Sequence, residues 1–221
     1  MSQRMPDDLQ RLYQERFQEQ REYRMGVWRA MIESFFQKFV RADAAVLDLG
    51  SGYGEFINQV RCGKKFAMDL NPDAPERVGP DVKCFLQDCS ATWPLPDNSL
   101  DVVFTSNFFE HLPDKAALSD TLGETLRCLK PGGRLIAIGP NIRALKGEYW
   151  DFWDHHVQLT ERSMAELLTH KGFKVETCVA RFLPYRMAGG PEYPFWMVKL
   201  YLKLPFVWPL WGKQFFVVAR K

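Results

Sequence analysis

Apolar residues recur near the start of the chain at Leu9, Leu12, Tyr13, Phe17, Val27, Trp28, Met31, Ile32, Phe35, Phe36 and Phe39, separated by charges at roughly helical spacing. This predicts one long amphipathic helix or two shorter ones. The period then changes: residues 45–49 form a short apolar run ending in glycines, as a buried parallel strand does. A short helix is expected over 55–61, closed by Cys62-Gly63, and a second strand over 65–70. Asn71-Pro72 and Gly79-Pro80 are turn signals that leave little room for a crossover helix before a third strand at 82–86. After a loop over 93–99 comes a fourth strand, 100–105. Leu118, Leu122, Leu126 and Leu129 mark a helix that stops at Lys130-Pro131-Gly132-Gly133, and 134–139 is the fifth strand. Thr160 is a candidate N-cap for a helix through Lys171, with Gly172 at its end. Two closing strands, 173–180 and 214–220, flank a proline- and aromatic-rich stretch at 184–212. Strands alternating with helices imply a mostly parallel sheet covered on both faces.

At 221 residues the length suits one large α/β domain over 1–221, with a helical lid or scaffold at 1–40 and an aromatic insertion at 184–212. The composition, 25% charged and 46% hydrophobic, is that of an ordinary globular chain. A formal charge of +2 and the absence of a basic block give nucleic-acid binding no support. The arginines 11, 16, 21, 24 and 29 alternate with Glu15, Glu19 and Glu22, which reads as a solvated helix face. The five cysteines form no C-x-x-C pair, so neither a disulfide framework nor a zinc knuckle is expected. The polar stretch 2–22 lacks the apolar core of a secretion signal, which points to the cytoplasm. Segment 184–212 is too broken by charge and proline to span a bilayer. It can complete the core, cover an apolar or glycolipid acceptor, or touch a membrane surface.

The cluster Gly50-Ser51-Gly52-Tyr53-Gly54 lies directly after a buried strand. Glycines there let the backbone turn tightly and approach a ligand, because a Cβ would obstruct both. Asp69 follows at the interval expected of a ribose-binding carboxylate, and Asp88 ends the third strand, where the base of a nucleoside lying across the strand tips would fall. The order of glycine loop, ribose acid and base acid is more specific than any of its parts.

Val46-Leu47-Asp48-Leu49-Gly50-Ser51-Gly52-Tyr53-Gly54, Met68-Asp69-Leu70-Asn71-Pro72, Gln87-Asp88-Cys89, Leu100-Asp101-Val102-Val103-Phe104 and Leu129-Lys130-Pro131-Gly132-Gly133 resemble, in order, the motifs of the class I S-adenosylmethionine-dependent methyltransferases. The resemblance is close over 45–139 and loose over 150–174. It implies a Rossmann-like seven-stranded sheet of order 3-2-1-4-5-7-6, with the last strand antiparallel. It also implies S-adenosylmethionine as cofactor. Asp48 and the backbone of Gly50, Ser51, Gly52, Tyr53 and Gly54 would hold its aminoacid portion. Asp69, with Leu70 beside it, would hold the ribose, Asp88 the adenine amino group, and Cys89 would flank the ring. Ser106 and Asn107 would lie near the methionyl part. Asp88 and the Lys130-Pro131-Gly132-Gly133 turn favour this family over a nicotinamide dehydrogenase.

Methyl transfer to a hydroxyl needs positioning and a base. Candidate catalytic residues are His111, which follows Glu110, and His155 and His156, which follow Tyr149-Trp150-Asp151-Phe152-Trp153-Asp154. Each can equally be a loop residue engaged in local hydrogen bonds. Asp154 could orient a neighbouring imidazole, and at least one of Trp150 and Trp153 is expected in the core. Some quinone O-methyltransferases resemble this stretch but hold a metal with E-x-x-E-H; here Asn107 replaces the first acid, and no metal site is expected. Thr105-Ser106-Asn107-Phe108-Phe109 is not the N-P-P-Y type motif of nucleobase amino-methylation. The expected function is methylation, at oxygen by preference, of a small molecule, sugar or lipid-linked precursor. The alternatives are an RNA methyltransferase and a non-catalytic S-adenosylmethionine-binding partner protein. Residues 9–23 are expected to act as a lid and 25–40 as fixed scaffold.

Overall fold

The computed structural model describes residues 21–185 and 191–221. Seven strands, β1 (Ala45–Leu49), β2 (Lys64–Asp69), β3 (Val82–Leu86), β4 (Leu100–Ser106), β5 (Leu129–Pro140), β6 (Lys174–Val179) and β7 (Gln214–Arg220), form one sheet. Its order is β3-β2-β1-β4-β5-β7-β6. The first five strands run parallel, and β7 runs antiparallel to both β5 and β6. The expected order and the antiparallel last strand are both borne out.

The central strands alternate their side chains between two apolar layers, as the period of two requires. Leu47, Leu49, Val103, Leu135 and Phe215 face one layer with Leu118, Leu122, Met164 and Leu168. Val46, Val102, Phe104, Ile136 and Phe216 face the other with Phe35, Phe36, Ile57 and Phe182. Every residue of β1 is buried, as expected of a strand covered on both faces. At the amino end of the sheet, Asp101 accepts from the backbone N–H of Ala45 at 2.8 Å and from Lys130 Nζ at 2.7 Å. Two of the recognised motifs therefore meet there to fasten strands rather than to bind anything.

Helix α1 (Arg21–Ser34) precedes the sheet, and α2 (Ala74–Arg77) is the abbreviated crossover that the two turn signals foretold. Helix α3 (Lys115–Cys128) is capped by Asp114, which accepts from Ala117 N–H at 2.8 Å. After a short helix α4 (Ile142–Leu145), α5 (Glu161–His170) begins at Thr160 with a reciprocal capping box to Ser163. Two expectations need correction. Residues 55–60 form turns rather than an assigned helix, although Asn58 and Val60 each donate to the carbonyl four residues back. Strand β5 begins at Leu129, ahead of the Lys130-Pro131-Gly132-Gly133 turn and five residues before the expected start, because Leu129 already pairs with Leu100.

Within 184–212 lie α6 (Phe195–Lys203) and α7 (Trp208–Trp211). Helix α6 packs along α1. Tyr23 stacks on Phe195 at 5.8 Å and bonds the Tyr193 backbone, and Lys199 pairs with Glu33 at 2.8 Å. Most of the expected moving segment, 9–20, lies outside the described residues. No helix among the described residues is long and apolar enough to cross a membrane.

Candidate active site at the carboxyl ends of the central strands

The sheet changes direction between β1 and β4, and side chains gather where α/β sheets place their ligands, beyond the carboxyl ends of those strands. The glycine loop leaves β1 with Gly50, Gly52 and Gly54 all at positive φ. A Cβ on Gly50 would sit 2.2 Å from the Phe108 ring, whereas one on Gly52 would meet nothing within 4 Å. Gly50 is thus needed for close packing, and Gly52 exposes bare backbone to open space.

Asp69 holds this loop from the tip of β2. Its two oxygens accept from Gly52 N–H and Asn71 N–H, each at 2.8 Å. Burial outweighs these bonds and raises its pKa. Asp48 is buried and accepts from Ile57 N–H at 3.3 Å; burial, reinforced by the charge of Glu55, raises its pKa well above the ordinary value. Asp88 receives both the backbone and the hydroxyl of Ser90, at 2.8 and 2.7 Å. The Cys89 thiol is buried against the Thr121 hydroxyl at 3.3 Å, and burial pushes it up to about 12. The Tyr53 ring carries the Arg77 guanidinium 4.0 Å and the Arg24 guanidinium 5.1 Å from its centre, and Arg24 also forms an ion pair with Glu55.

A cavity of about 1000 Å³ opens beside the loop. Asp48, Gly50, Ser51, Gly52, Tyr53, Ser106 and Asn107 line one end, and Trp28, Trp196, Met197 and Leu200 belong to the apolar wall that α1 and α6 supply. Asp69, Leu70, Asp88 and Cys89 stand outside it, along the neighbouring strand tips. Asn107 adopts φ 51°, and its side-chain amide oxygen is buried without a hydrogen-bond partner, as is the Ser51 hydroxyl.

Glu110, His111 and His155 also line the cavity. The Glu110 carbonyl accepts from His156 N–H at 2.7 Å and Val157 N–H at 3.1 Å, which draws the later loop against the end of β4. His111 Nδ1 lies 3.0 Å from the Asp154 carbonyl oxygen and 3.1 Å from its carboxylate. Burial pulls the His111 imidazole down, but the Asp154 hydrogen bond and the Glu110 and Asp154 charges outweigh it and leave its pKa raised. His155 Nδ1 meets the Tyr149 carbonyl at 2.9 Å, and its ring stacks on Phe152 at 5.0 Å. Glu110 is 1% exposed, neither of its oxygens has a hydrogen-bond partner, and burial pushes it up to about 7.

Asp154 therefore serves His111, 43 residues away. His156 is exposed and lies outside the cavity wall. The expectation that Trp150 or Trp153 joins the core is overturned: they are 54% and 85% exposed, while Tyr149 is the residue that is fully buried. Nothing local in the sequence marks the Asp154–His111 pairing, since it depends on how two loops meet.

A model of the methyltransferase domain family matches residues 17–177, most of the chain. The chain belongs to the class I S-adenosylmethionine-dependent methyltransferases. A 2-methyl-6-phytyl-1,4-hydroquinone methyltransferase of Synechocystis is 31% identical over 136 residues, which is 58% of this chain and 41% of that protein. A ubiquinone/menaquinone biosynthesis C-methyltransferase of Hahella chejuensis is 30% identical over 113 residues, 45% of this chain and 44% of its own length. The chain thus spans about half the length of the curated relatives it matches. A SAM dependent methyltransferase from Archaeoglobus fulgidus shares the fold with a TM-score of 0.66 at 18% identity, over 91% of this chain and 97% of that one.

The residues present fit the family's cofactor, S-adenosylmethionine. The open space over Gly52 admits a ligand against the backbone, and Ser51 and Asn107, whose hydroxyl and side-chain amide oxygen are unpartnered, line the same methyltransferase cavity.

Proposed function

We propose that this methyltransferase acts on a small amphipathic acceptor, a hydroxylated small molecule, sugar or lipid-linked precursor, and that it methylates oxygen. The observation that carries this reading is one continuous cavity. It runs from the glycine loop, past Glu110, His111 and His155, to the aromatic wall of α1 and α6. Its volume is at the upper end for ligand pockets, which leaves room for an acceptor beside the methionyl end of the cofactor.

In this reading Asp48, Ser51 and the loop backbone hold the aminoacid group, Asp69 and Leu70 the ribose edge, and Asp88 and Cys89 the adenine. Ser106 and Asn107 border the methionyl chain. When bound, S-adenosylmethionine supplies an electrophilic methyl group. The acceptor's reacting hydroxyl faces Glu110, His111 and His155, which deal with the proton it must lose. Asp154 fixes the orientation of His111 from behind, as a carboxylate fixes a catalytic imidazole. Trp196, Met197 and Leu200 receive the apolar part of the acceptor. Helices α1 and α6 supply the cover of a single domain, and apolar cover of this kind also suits contact with a membrane surface.

A second reading, methylation at carbon, gains support from the names of the two quinone-pathway relatives. A hydroquinone ring carbon becomes nucleophilic when the adjacent hydroxyl is ionised, so the polar cluster would do the same work in either case. The deciding experiment offers phenols, hydroquinones, sugars and lipid-linked sugars with labelled S-adenosylmethionine and locates the label by NMR. Methylation of oxygen sustains the first reading and methylation of ring carbon the second. Transfer to none of these acceptors, from a protein that binds S-adenosylhomocysteine, removes both.

A further inference from the structure

We infer that Glu110, His111 and His155 form a binding site for a divalent transition-metal cation. One ligand atom from each of the three lies within 4.8 Å of the others. Two imidazoles and one carboxylate make a mixed nitrogen and oxygen set suited to zinc, manganese, iron or cobalt. The sequence hid it because the ligands come from two segments: Asn107 removes one candidate acid, and His155, 44 residues beyond His111 in the chain, comes to 5.0 Å from its ring.

Three further observations converge. Glu110 is 1% exposed, and both its carboxylate oxygens lack any hydrogen-bond partner while the side chain lines the cavity. A buried carboxylate with neither a partner nor a cation is costly, and a bound cation removes that cost. The imidazoles, in turn, are oriented from behind. His111 Nδ1 is held by Asp154 and His155 Nδ1 by the Tyr149 carbonyl, which makes Nε2 the ligating atom of each ring. This is the outer-shell arrangement usual for metal-ligating histidines. Finally, the two basic side chains in the cavity wall are already committed, Arg24 to Glu55 and Lys213 to Glu148. Neither Asp48 nor Glu110 has a lysine or arginine ion-pair partner among the described residues.

His111 Nε2 and Glu110 Oε1 stand 3.9 Å apart, too far for a hydrogen bond. Two ligands on one tetrahedral ion are about 3.4 Å apart, given metal–ligand bonds of roughly 2.1 Å. A small rotation of these side chains closes the set around an ion. The catalytic use of the site rests on the acceptor reading above. A cation here would hold the acceptor's hydroxyl oxygen and favour its ionised form, the proton passing to bulk water. Cation binding itself does not depend on that reading.

The test uses the whole chain, stripped of metal, titrated with Co²⁺ by visible absorption and with Zn²⁺ by calorimetry. The expected result is saturable uptake of about one equivalent, with the intense absorption bands of a low-coordinate site. Glu110→Gln and His155→Asn each weaken binding by at least about tenfold, and Asp154→Asn by about ten- to a hundredfold through His111. His170→Asn, an exposed histidine on α5, leaves binding unchanged. Calorimetry with S-adenosylhomocysteine checks that each variant is folded. Should a variant fail that check, the wild type decides: the chain has only four histidines, and Zn²⁺ should shift the imidazole resonances of His111 and His155 but not those of His156 or His170. No uptake at millimolar Co²⁺, or uptake that survives in both Glu110→Gln and His155→Asn, overturns the site. Uptake by a protein that methylates no acceptor sustains the site and overturns the acceptor reading; methylation without uptake does the reverse.

Discussion

Changing Asp69 to Ala tests the cofactor assignment at its most exposed point, because this carboxylate has two duties. In the free protein its oxygens already accept from Gly52 and Asn71 N–H at 2.8 Å, so the residue shapes the glycine loop before any ligand arrives. A carboxylate has about four lone-pair sites, so it retains acceptor capacity for ribose hydroxyls after those two bonds are made. Loss of hydrogen bonds to a charged acceptor costs about 1.5–3 kcal/mol, or roughly ten- to a hundredfold in affinity. Alanine also releases the loop, whose reordering adds to the loss, so about tenfold is a floor. The Asp69→Asn variant keeps one acceptor oxygen but turns an amide N–H toward a backbone N–H, and it should fall between wild type and alanine. Calorimetry with S-adenosylhomocysteine measures the effect, and a thermal melt confirms folding. Because burial raises the Asp69 pKa, wild-type affinity should decline on acidification sooner than an exposed aspartate would allow, and the Asp69→Asn variant should lack that step. An unchanged dissociation constant in folded Asp69→Ala protein would remove Asp69 from the site.

Asp48→Asn should raise the melting temperature of the free protein at neutral pH while weakening S-adenosylhomocysteine. The folded pKa of Asp48 lies above its unfolded value, so ionising it costs stability once pH rises past the ordinary carboxylate range, and the gain should vanish in acid where both proteins are neutral there. Asp154→Asn should lower turnover by about a hundredfold or more with cofactor affinity intact, whereas His156→Asn should stay near wild type in single-turnover assays; a drop in His156→Asn alone would return the chemistry to the exposed histidine. Trp196→Ala should raise KM for a long-tailed acceptor and leave a tail-less one unaffected, as paired steady-state assays would reveal; equal effects on both would remove α6 from the acceptor site.

The parts of the structure that local chemistry decides were readable in the chain. Asp48, the three glycines, Asp69 and Asp88 each sit at the end of a strand whose hydrophobic run announces it. Thr160 caps α5 as its side-chain chemistry requires. The misreadings share one physical origin, which is that burial is settled by distant partners. Trp150 and Trp153 are apolar by type, yet Tyr149 takes the core position because its hydroxyl reaches the Val157 carbonyl at 2.5 Å. Residues 55–60 have helical spacing, but the Ile57 N–H goes to Asp48 and the Gln59 N–H to the carbonyl three residues back, so the segment stays a set of turns.

The same reasoning explains why the polar cluster was the least legible feature and the most informative one. Folding tends to satisfy buried polar groups, and many of those among the described residues comply: Asp48, Asn71, Thr121, Asn141 and Glu161 all have partners. Around the cavity the exceptions accumulate, at Ser51, Asn107, Glu110 and Gln214. Three of these four contribute acceptor oxygens, the side-chain amide oxygens of Asn107 and Gln214 and, in its ionised form, the Glu110 carboxylate, so the wall is complementary to donors and cations. The stability such groups withhold from the fold is recovered only when a ligand of matching chemistry enters. A hydroxylated acceptor and a divalent cation both answer that description, and an apolar ligand with no donor does not. The selectivity of this cavity therefore resides in its unmatched acceptors, while the aromatic wall of α1 and α6 governs how large an acceptor can be.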